Sequence, residues 1–165
     1  MEIIRCLIYF AITGVLSFVI GRLMPKRWFR YDAVPYRSAK FEKEGAIYNK
    51  LKIRSWQNKV PDMSRIFPKL MPAKRLGSKT DAKTLRTMLQ ETCIAELIHG
   101  VLCFTGLHFV SIWQGVGGTV LAVLNILGNL PFILIQRYNR PRLAKLLRRY
   151  EAAERTQRSK DPCAC

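Results

Sequence analysis

The chain has 165 residues, of which 49% are hydrophobic and 24% charged, and its mean hydropathy of +0.01 conceals a strong segregation of apolar from basic stretches. Lysine and arginine total 28 against 11 acidic residues, giving a formal net charge of +17. Such a charge could indicate nucleic-acid binding, but the sequence has neither zinc-ligand spacing nor an aromatic RNA-binding signature, so we expect no nucleic-acid partner.

The first apolar run, residues 3–24, is long enough to cross a hydrocarbon layer roughly 30 Å thick. A cleavable signal peptide is the alternative, and the sequence leaves open whether this segment is retained. We favour a membrane span, because the run is longer than a typical signal core and the positive charge follows it rather than precedes it.

The segment 25–90 is polar and basic, yet it is rich in aromatic residues and prolines. A disordered linker would contain fewer aromatic residues, so we expect an ordered, partly interfacial segment with Trp and Tyr at the headgroup level. Within it, Met63, Ile66, Phe67 and Leu70 recur at helical spacing. This pattern predicts a short amphipathic turn lying on the membrane.

Two further spans are predicted at 93–113 and 118–136, separated by a glycine-rich turn at 114–118. The Thr80-Asp81 pair offers an N-cap for the helix that leads into the second span. In the basic tail 137–165, the residues beyond Pro141 alternate apolar and basic faces, which predicts an amphipathic helix on the membrane surface. The fold class is therefore an all-α membrane protein with about three transmembrane helices, and we expect a single integral membrane domain over residues 1–165.

The distribution of basic residues predicts the orientation. The loop 22–90 and the tail 137–165 carry nearly all lysines and arginines, while the turn 114–118 carries none. The positive-inside rule then places the loop and the C-terminus in the cytoplasm and the N-terminus outside, as in a multi-pass protein of the cell membrane. The same basic residues would attract anionic membrane lipids.

Two ionisable residues fall within the second predicted helix, three positions apart and thus on one face: Glu96 and His99. An ionisable residue inside a span usually faces the bundle interior and suggests a functional site. A histidine oriented by a carboxylate could act as a general base that activates a hydroxyl for acyl transfer. The alternative, of about equal weight, is a buried polar clamp between spans made by Glu96, His99 and Arg137. Cys103, on the same stripe, is interpreted as a small packing residue rather than a nucleophile.

The third span ends abruptly in a dense set of hydrogen-bond donors, Gln136 to Arg142. Arg137, Asn139, Arg140 and Arg142 lie where membrane meets water, and they could hold a developing oxyanion or a phosphorylated donor. The alternative is a stop-transfer patch whose arginines extend to the headgroups. Because this cluster and Glu96/His99 are predicted on the same side of the membrane, the two can meet.

Five sequence stretches together resemble the glycosyl-4,4'-diaponeurosporenoate acyltransferase family, in order and over nearly the whole chain. They are Pro25-Lys-Arg-Trp-Phe-Arg30, Phe41-Glu-Lys-Glu-Gly-Ala-Ile-Tyr-Asn-Lys50, the stretch from Arg54-Ser-Trp56 through Lys59 to Asp62, Glu91-Thr92 with Ala95-Glu96-Leu-Ile-His99, and Asn129-x-Pro131 followed by Gln136-Arg-Tyr-Asn-Arg-Pro-Arg-Leu143. Two positions depart from the pattern: Gln57 stands where we expect a lysine, and Cys103 has no counterpart in the motif.

The resemblance implies a membrane acyltransferase of carotenoid biosynthesis that esterifies the sugar hydroxyl of a glycosylated C30 carotenoid acid with a fatty acyl group. The expected partners are an acyl thioester donor (acyl-CoA or acyl carrier protein) and this lipid-like glycosylated acceptor. We predict His99 and Glu96 as catalytic, and Arg137, Asn139, Arg140, Arg142, Trp56 and Lys59 as substrate-binding residues. A non-catalytic basic membrane scaffold that binds anionic lipid or a biosynthetic partner is the alternative function. No metal or cofactor is expected.

Overall fold

The computed structural model describes residues 1–60 and 81–160, which form helices and turns without any strand. The α-helices are α1 (Glu2–Leu23), α2 (Ile47–Lys50), α3 (Ile53–Trp56), α4 (Ala82–Gly106), α5 (Phe109–Ile112) and α6 (Val116–Lys160). Short 3₁₀ turns occur at Lys26–Trp28, Lys40–Gly45 and Gln57–Lys59. The amphipathic turn predicted at 63–70 lies outside the described residues.

Three stretches of the described chain are long and apolar enough to cross a membrane: Glu2–Leu23, Ala82–Ile112 and Val116–Gln157. They agree with the three predicted spans and confirm the all-α membrane fold class. Most apolar side chains of α1 are exposed, as expected for a helix that faces lipid.

The helices α4 and α6 form an antiparallel hairpin, and this pair holds most of the buried residues. At its open end, Leu85 and Leu89 of α4 pack against Leu147 of α6. Near its turn, Gly106 of α4 lies so close to Asn125 of α6 that an added Cβ would come within 1.9 Å of the amide nitrogen. Close approach of this kind is typical of helices that associate inside a membrane.

The beginning of α4 agrees with its predicted N-cap. The Asp81 carboxylate accepts a 2.8 Å hydrogen bond from the backbone N–H of Thr84. This bond satisfies one of the N–H groups that have no partner within the first helical turn. The predicted cap residue is therefore confirmed at Asp81.

Helix α1 packs against the half of the hairpin nearest its turn, and its Gly21 lies beside Ile98 in the middle of α4. The Tyr9 hydroxyl donates to the carbonyl oxygen of Thr105 at 2.9 Å. Close to the N-terminus, Cys6 packs with Phe109 and Ala122. Its small, buried side chain lets α1 approach α5 and α6 together.

The structure corrects the prediction that a separate helix beyond Pro141 lies on the membrane surface. Helix α6 is continuous from Val116 to Lys160, with Pro131 and Pro141 inside it. The apolar stripe of the tail, including Ala144 and Leu147, is buried against α4 rather than turned to lipid. Burial of this stripe outweighs the hydrogen bond that each proline removes from the helix.

The described part of the basic loop, residues 24–60, folds against the hairpin on the side opposite the turn. Phe29 packs on Cys93 and Ile94 of α4. Further along the loop, Tyr48 and Ile53 pack on Tyr138 of α6. Gly45 makes a close approach there: its φ of +87° suits glycine, and an added Cβ would lie 2.9 Å from Pro141. The prediction of an ordered segment is confirmed for these residues.

Candidate functional site

Where the loop crosses the hairpin, Arg140 of α6 is almost completely buried, with 3% of its surface exposed. Its Nε donates to the Thr92 hydroxyl at 3.0 Å, and its Nη2 donates to the Thr92 carbonyl at 3.0 Å and to Glu96 at 2.5 Å. Its Nη1 donates to the carbonyl oxygen of Tyr36 at 2.8 Å. These bonds join α6, α4 and the loop through one guanidinium group.

Arg137, one turn away, makes a second set of bonds to the same three elements. Its Nε donates to the other oxygen of Glu96 at 2.7 Å, its Nη1 to Glu42 at 2.5 Å, and its Nη2 to the Pro35 carbonyl at 3.0 Å. The side chain keeps 22% of its surface exposed, in contrast to Arg140. Three of its five N–H groups are therefore committed to described acceptors.

Glu42 completes this arrangement from the loop, where only 2% of its surface is exposed. It accepts from Arg137, from the Tyr48 hydroxyl at 2.8 Å, and from the Ala39 backbone N–H at 3.1 Å. Burial, and then the neighbouring Glu42 carboxylate, raise the pKa of Tyr48 to about 12, so this hydroxyl remains a donor at neutral pH. We call Arg137, Arg140, Glu42 and Glu96 the clamp; its formal charges sum to zero.

The structure thus joins Glu96 to Arg137, two of the three residues of the clamp that the sequence predicted, and adds Arg140 and Glu42. The third predicted member, His99, bonds to Asn129 instead. Both oxygens of Glu96 receive arginine donors. The stop-transfer interpretation does not describe Arg137 and Arg140, because their guanidinium groups bind carboxylates of the protein.

One turn further along α4, His99 contacts α6 at a different level. Its Nδ1 lies 2.9 Å from Oδ1 of Asn129, and its ring stacks on Phe132 with centroids 4.3 Å apart and planes inclined by 7°. An amide oxygen can only accept, so this bond requires the proton on Nδ1. The neutral ring then has Nε2 as its accepting nitrogen, which is the nitrogen a general base needs.

The orientation of the Asn129 amide is itself set by α6 and α4. Its Nδ2 donates to the Asn125 backbone carbonyl at 2.9 Å and lies 3.4 Å from the Asn125 side-chain oxygen. Asn125 in turn donates to the carbonyl of Leu102 at 2.8 Å. We call His99, Asn129 and Asn125 the relay, since each amide fixes the direction of the next hydrogen bond.

The other predicted binding residues lie around the surface of α6 that faces α2 and α3. Asn139 donates to Gln57 at 3.3 Å, while Arg142 donates to Asn49 at 2.9 Å and stacks 3.5 Å above the ring centre of Tyr138. Gln57, which departs from the family pattern, therefore contacts Asn139, a predicted binding residue.

Trp56 and Lys59 flank this surface. Trp56 is half-buried beside Tyr138, and its indole N–H donates to the Leu51 carbonyl at 2.9 Å, whereas Lys59 is exposed.

Cys103 packs between the helices, with its sulfur 3.9 Å from the Ile126 carbonyl oxygen. This agrees with its interpretation as a packing residue.

Sequence reasoning did not assign roles to Glu42, Asn129 or Asn125. Glu42 contacts an arginine 95 positions away, and a single sequence contains no signal for that pairing. The two asparagines did carry a signal. They lie four apart in an otherwise apolar span, and polar residues there usually bond across helices.

Comparison with known proteins connects this geometry to an activity. The family model for glycosyl-4,4'-diaponeurosporenoate acyltransferase matches residues 25–149. A protein of that name from Staphylococcus aureus (strain MRSA252) is 31% identical over 148 residues, covering 87% of this chain and 86% of the relative. Its counterpart from strain N315 is 30% identical with the same coverage. No solved structure matches the chain.

Proposed function

Because the chain belongs to the glycosyl-4,4'-diaponeurosporenoate acyltransferase family, we propose that it is a membrane acyltransferase. Its reaction esterifies a sugar hydroxyl of a glycosylated C30 carotenoid acid with a fatty acyl group. The match over residues 25–149 carries this proposal, since that range contains every residue of the clamp and the relay. The comparisons favour the enzyme over the non-catalytic scaffold.

In this proposal His99 is the general base. Asn129 holds the proton on Nδ1 and the stacked Phe132 fixes the plane of the ring, so Nε2 is directed for proton transfer. A positioned histidine typically contributes about 10²–10⁴-fold to such a step. Glu96, predicted from sequence to orient the imidazole, is given a different role here: it positions Arg137 and Arg140.

The reaction then proceeds by ordinary acyl transfer. As the sugar hydroxyl oxygen attacks the thioester carbonyl carbon, its proton passes to Nε2 of His99. The carbon–sulfur bond breaks, the thiolate leaves, and the imidazolium returns the proton to the sulfur. The products are the ester and a free thiol, and no oxidant or metal enters the balance.

The two clamp arginines have different roles. Arg140 is a positioning residue, because its guanidinium is buried among Thr92, Tyr36 and Glu96. Arg137 remains partly exposed, and we assign it a contact with the polar part of a substrate. Exposed Arg142 and Lys59, with Asn139 and half-buried Trp56, extend a basic surface for the sugar or for an acyl-CoA or acyl carrier protein donor.

The basic residues also set the proposed orientation, with 22–90 and 137–165 in the cytoplasm and the N-terminus outside. In a cysteine-free background, a cysteine introduced at Ser78 should react with an impermeant reagent only after the cells are opened. Reaction in intact cells would contradict this orientation. Exposed Lys145, Arg148 and Arg149 of the continuous helix α6 then lie on the cytoplasmic side.

The activity is tested with purified protein in liposomes, supplied with glycosyl-4,4'-diaponeurosporenoate and either acyl-CoA or acyl-loaded carrier protein. We expect an ester whose mass equals the sum of the acceptor and the fatty acid minus water, with release of one thiol per ester. Protein-free liposomes serve as the control. If folded protein yields no ester with either donor, the proposed function is wrong.

A further inference from the structure

An apolar groove runs along the outer half of the bundle, between α1 and α6. Its volume is about 390 Å³, within the range of roughly 300–1,000 Å³ that is usual for small-molecule sites. Leu7 and Phe10 of α1 form one wall, Leu121 and Leu124 of α6 form the other, and Phe109 of α5 contributes to the lining. The lining residues include no lysine, arginine, aspartate or glutamate.

The inner part of this groove is built from the residues that hold His99. Asn129 and Phe132 both line the groove, and they are the hydrogen-bond partner and the stacking partner of the imidazole. A molecule extended along the groove therefore reaches the relay.

The length of the groove matches one leaflet of a membrane. From Leu121 to Phe132 helix α6 rises about 16 Å, at 1.5 Å per residue. Half of a hydrocarbon core roughly 30 Å thick is about 15 Å, which is the depth that a fatty acyl chain fills. A rigid C30 polyene is longer than this and lacks the bends that a fatty chain makes.

Gly128 lies in the groove wall between these ends. A Cβ added there would meet no atom within 4 Å, so a side chain at this position would enter the groove without displacing the fold. A larger side chain at Gly128 can thus fill the groove at one point along its length.

We propose that this groove holds the acyl chain of the donor, with its thioester beside His99 and its methyl end towards Leu121. The inference rests on the proposed acyl-transfer function and adds the subsite that measures chain length. The saturated chain contacts the apolar walls, while the carotenoid acceptor approaches the relay from the lipid.

The test compares Gly128→Phe with Gly14→Phe. Gly14 of α1 is the matched control, because an added Cβ there also meets nothing within 4 Å and the residue does not line the groove. Octanoyl-CoA and palmitoyl-CoA are supplied separately in liposomes, and the ratio of the two kcat/KM values is measured. Each methylene of an acyl chain that no longer fits in the groove should lower the kcat/KM for that donor about fourfold.

We expect Gly128→Phe to shift the ratio at least about tenfold towards octanoyl-CoA and Gly14→Phe to leave it unchanged. A palmitoyl-CoA analogue with a photoreactive group near its methyl end should label the peptide 3–10 or 116–127. An unchanged ratio in active Gly128→Phe, or labelling confined to other peptides, would show that the groove holds only bulk lipid. Absence of ester with wild-type protein would instead refute the proposed function, and the photolabelling result would still decide the occupant of the groove.

Discussion

The clamp and the relay are two polar layers of the same helix pair, and they differ in charge and in depth. The clamp contains two arginines and two carboxylates at the end where the loop 24–60 packs, and its members satisfy one another. The relay lies deeper in the predicted span and consists of an imidazole and two amides. Ionised groups at such depth are costly, whereas neutral amides can be held by single hydrogen bonds. This difference leads us to propose that the clamp chiefly holds the fold and that the relay serves the chemistry.

The largest expected effect comes from breaking the clamp at its buried arginine. Arg140→Met leaves Glu96 with an unpaired oxygen and should destabilise the protein by about 3–5 kcal/mol, as breaking a buried ion pair does. Arg148→Met, at an exposed arginine of the same helix, is the control. Unfolding in detergent and the amount of inserted protein measure the difference. Equal stability of the two variants would show that the clamp does not hold the fold.

Removing the Asn129 amide from the relay should lower activity and leave stability nearly unchanged, the opposite of what we expect for Arg140→Met. Asn129→Leu is expected to lower ester formation about 10–100-fold, the loss known for partners that orient metal-bound histidines, with little change in stability. It should also alter the pH dependence of kcat, because the Nδ1 proton loses its acceptor. Gln157→Leu removes an amide at the exposed end of the same helix and should leave activity intact. If this variant gives less folded protein but each folded molecule turns over normally, the role of Asn129 is structural, like that of the clamp residues.

A smaller loss of stability is expected from a change at Tyr48, which donates to Glu42 of the clamp. Tyr48→Phe deletes the 2.8 Å hydrogen bond to Glu42 and should cost about 1.5–3 kcal/mol, the value typical of a bond to a charged group. Tyr36→Phe is the matched control, since the Tyr36 backbone carbonyl that accepts from Arg140 is retained.

Tyr48→Phe also tests the pH dependence of stability. The pKa of Tyr48 is raised to about 12, from the ordinary tyrosine value of 10.0. Between these values the folded state keeps a proton that the unfolded state has lost, so stability falls as pH rises. Thermal unfolding from pH 9 to 12 should show a shallower decline for Tyr48→Phe than for the wild-type protein. Parallel declines would mean that Tyr48 is not held neutral by its surroundings.

The sequence predicted much of the fold because apolar length and capping chemistry are local properties. The three spans and the Asp81 cap follow from such patterns, whereas the contact of Glu96 with Arg137 was only one of two alternatives that the sequence offered. The continuity of α6 does not, because Pro141 and a basic amphipathic pattern also describe a separate surface helix. Only the packing of Leu147 on α4 decides between them.

The sequence predicted which residues form the candidate site better than it predicted which of them bond to one another. Glu96 and His99 share one face of α4, which made their mutual contact the simplest hypothesis. Their bonds to Arg137, Arg140 and Asn129 depend on the register between two helices, which one sequence does not determine.

The most direct measurement of the central claim is the turnover of His99→Ala beside its stability. The account predicts that this variant inserts and unfolds like the wild-type protein but forms ester about 10²–10⁴-fold more slowly in membranes of equal protein content. Glu96→Gln should lose less turnover, and Cys103→Ser, a change at a packing residue, should be nearly silent. If His99→Ala keeps near-normal turnover, or loses only abundance and stability, then His99 belongs to the structural part of the molecule and the catalytic role assigned to the relay is wrong.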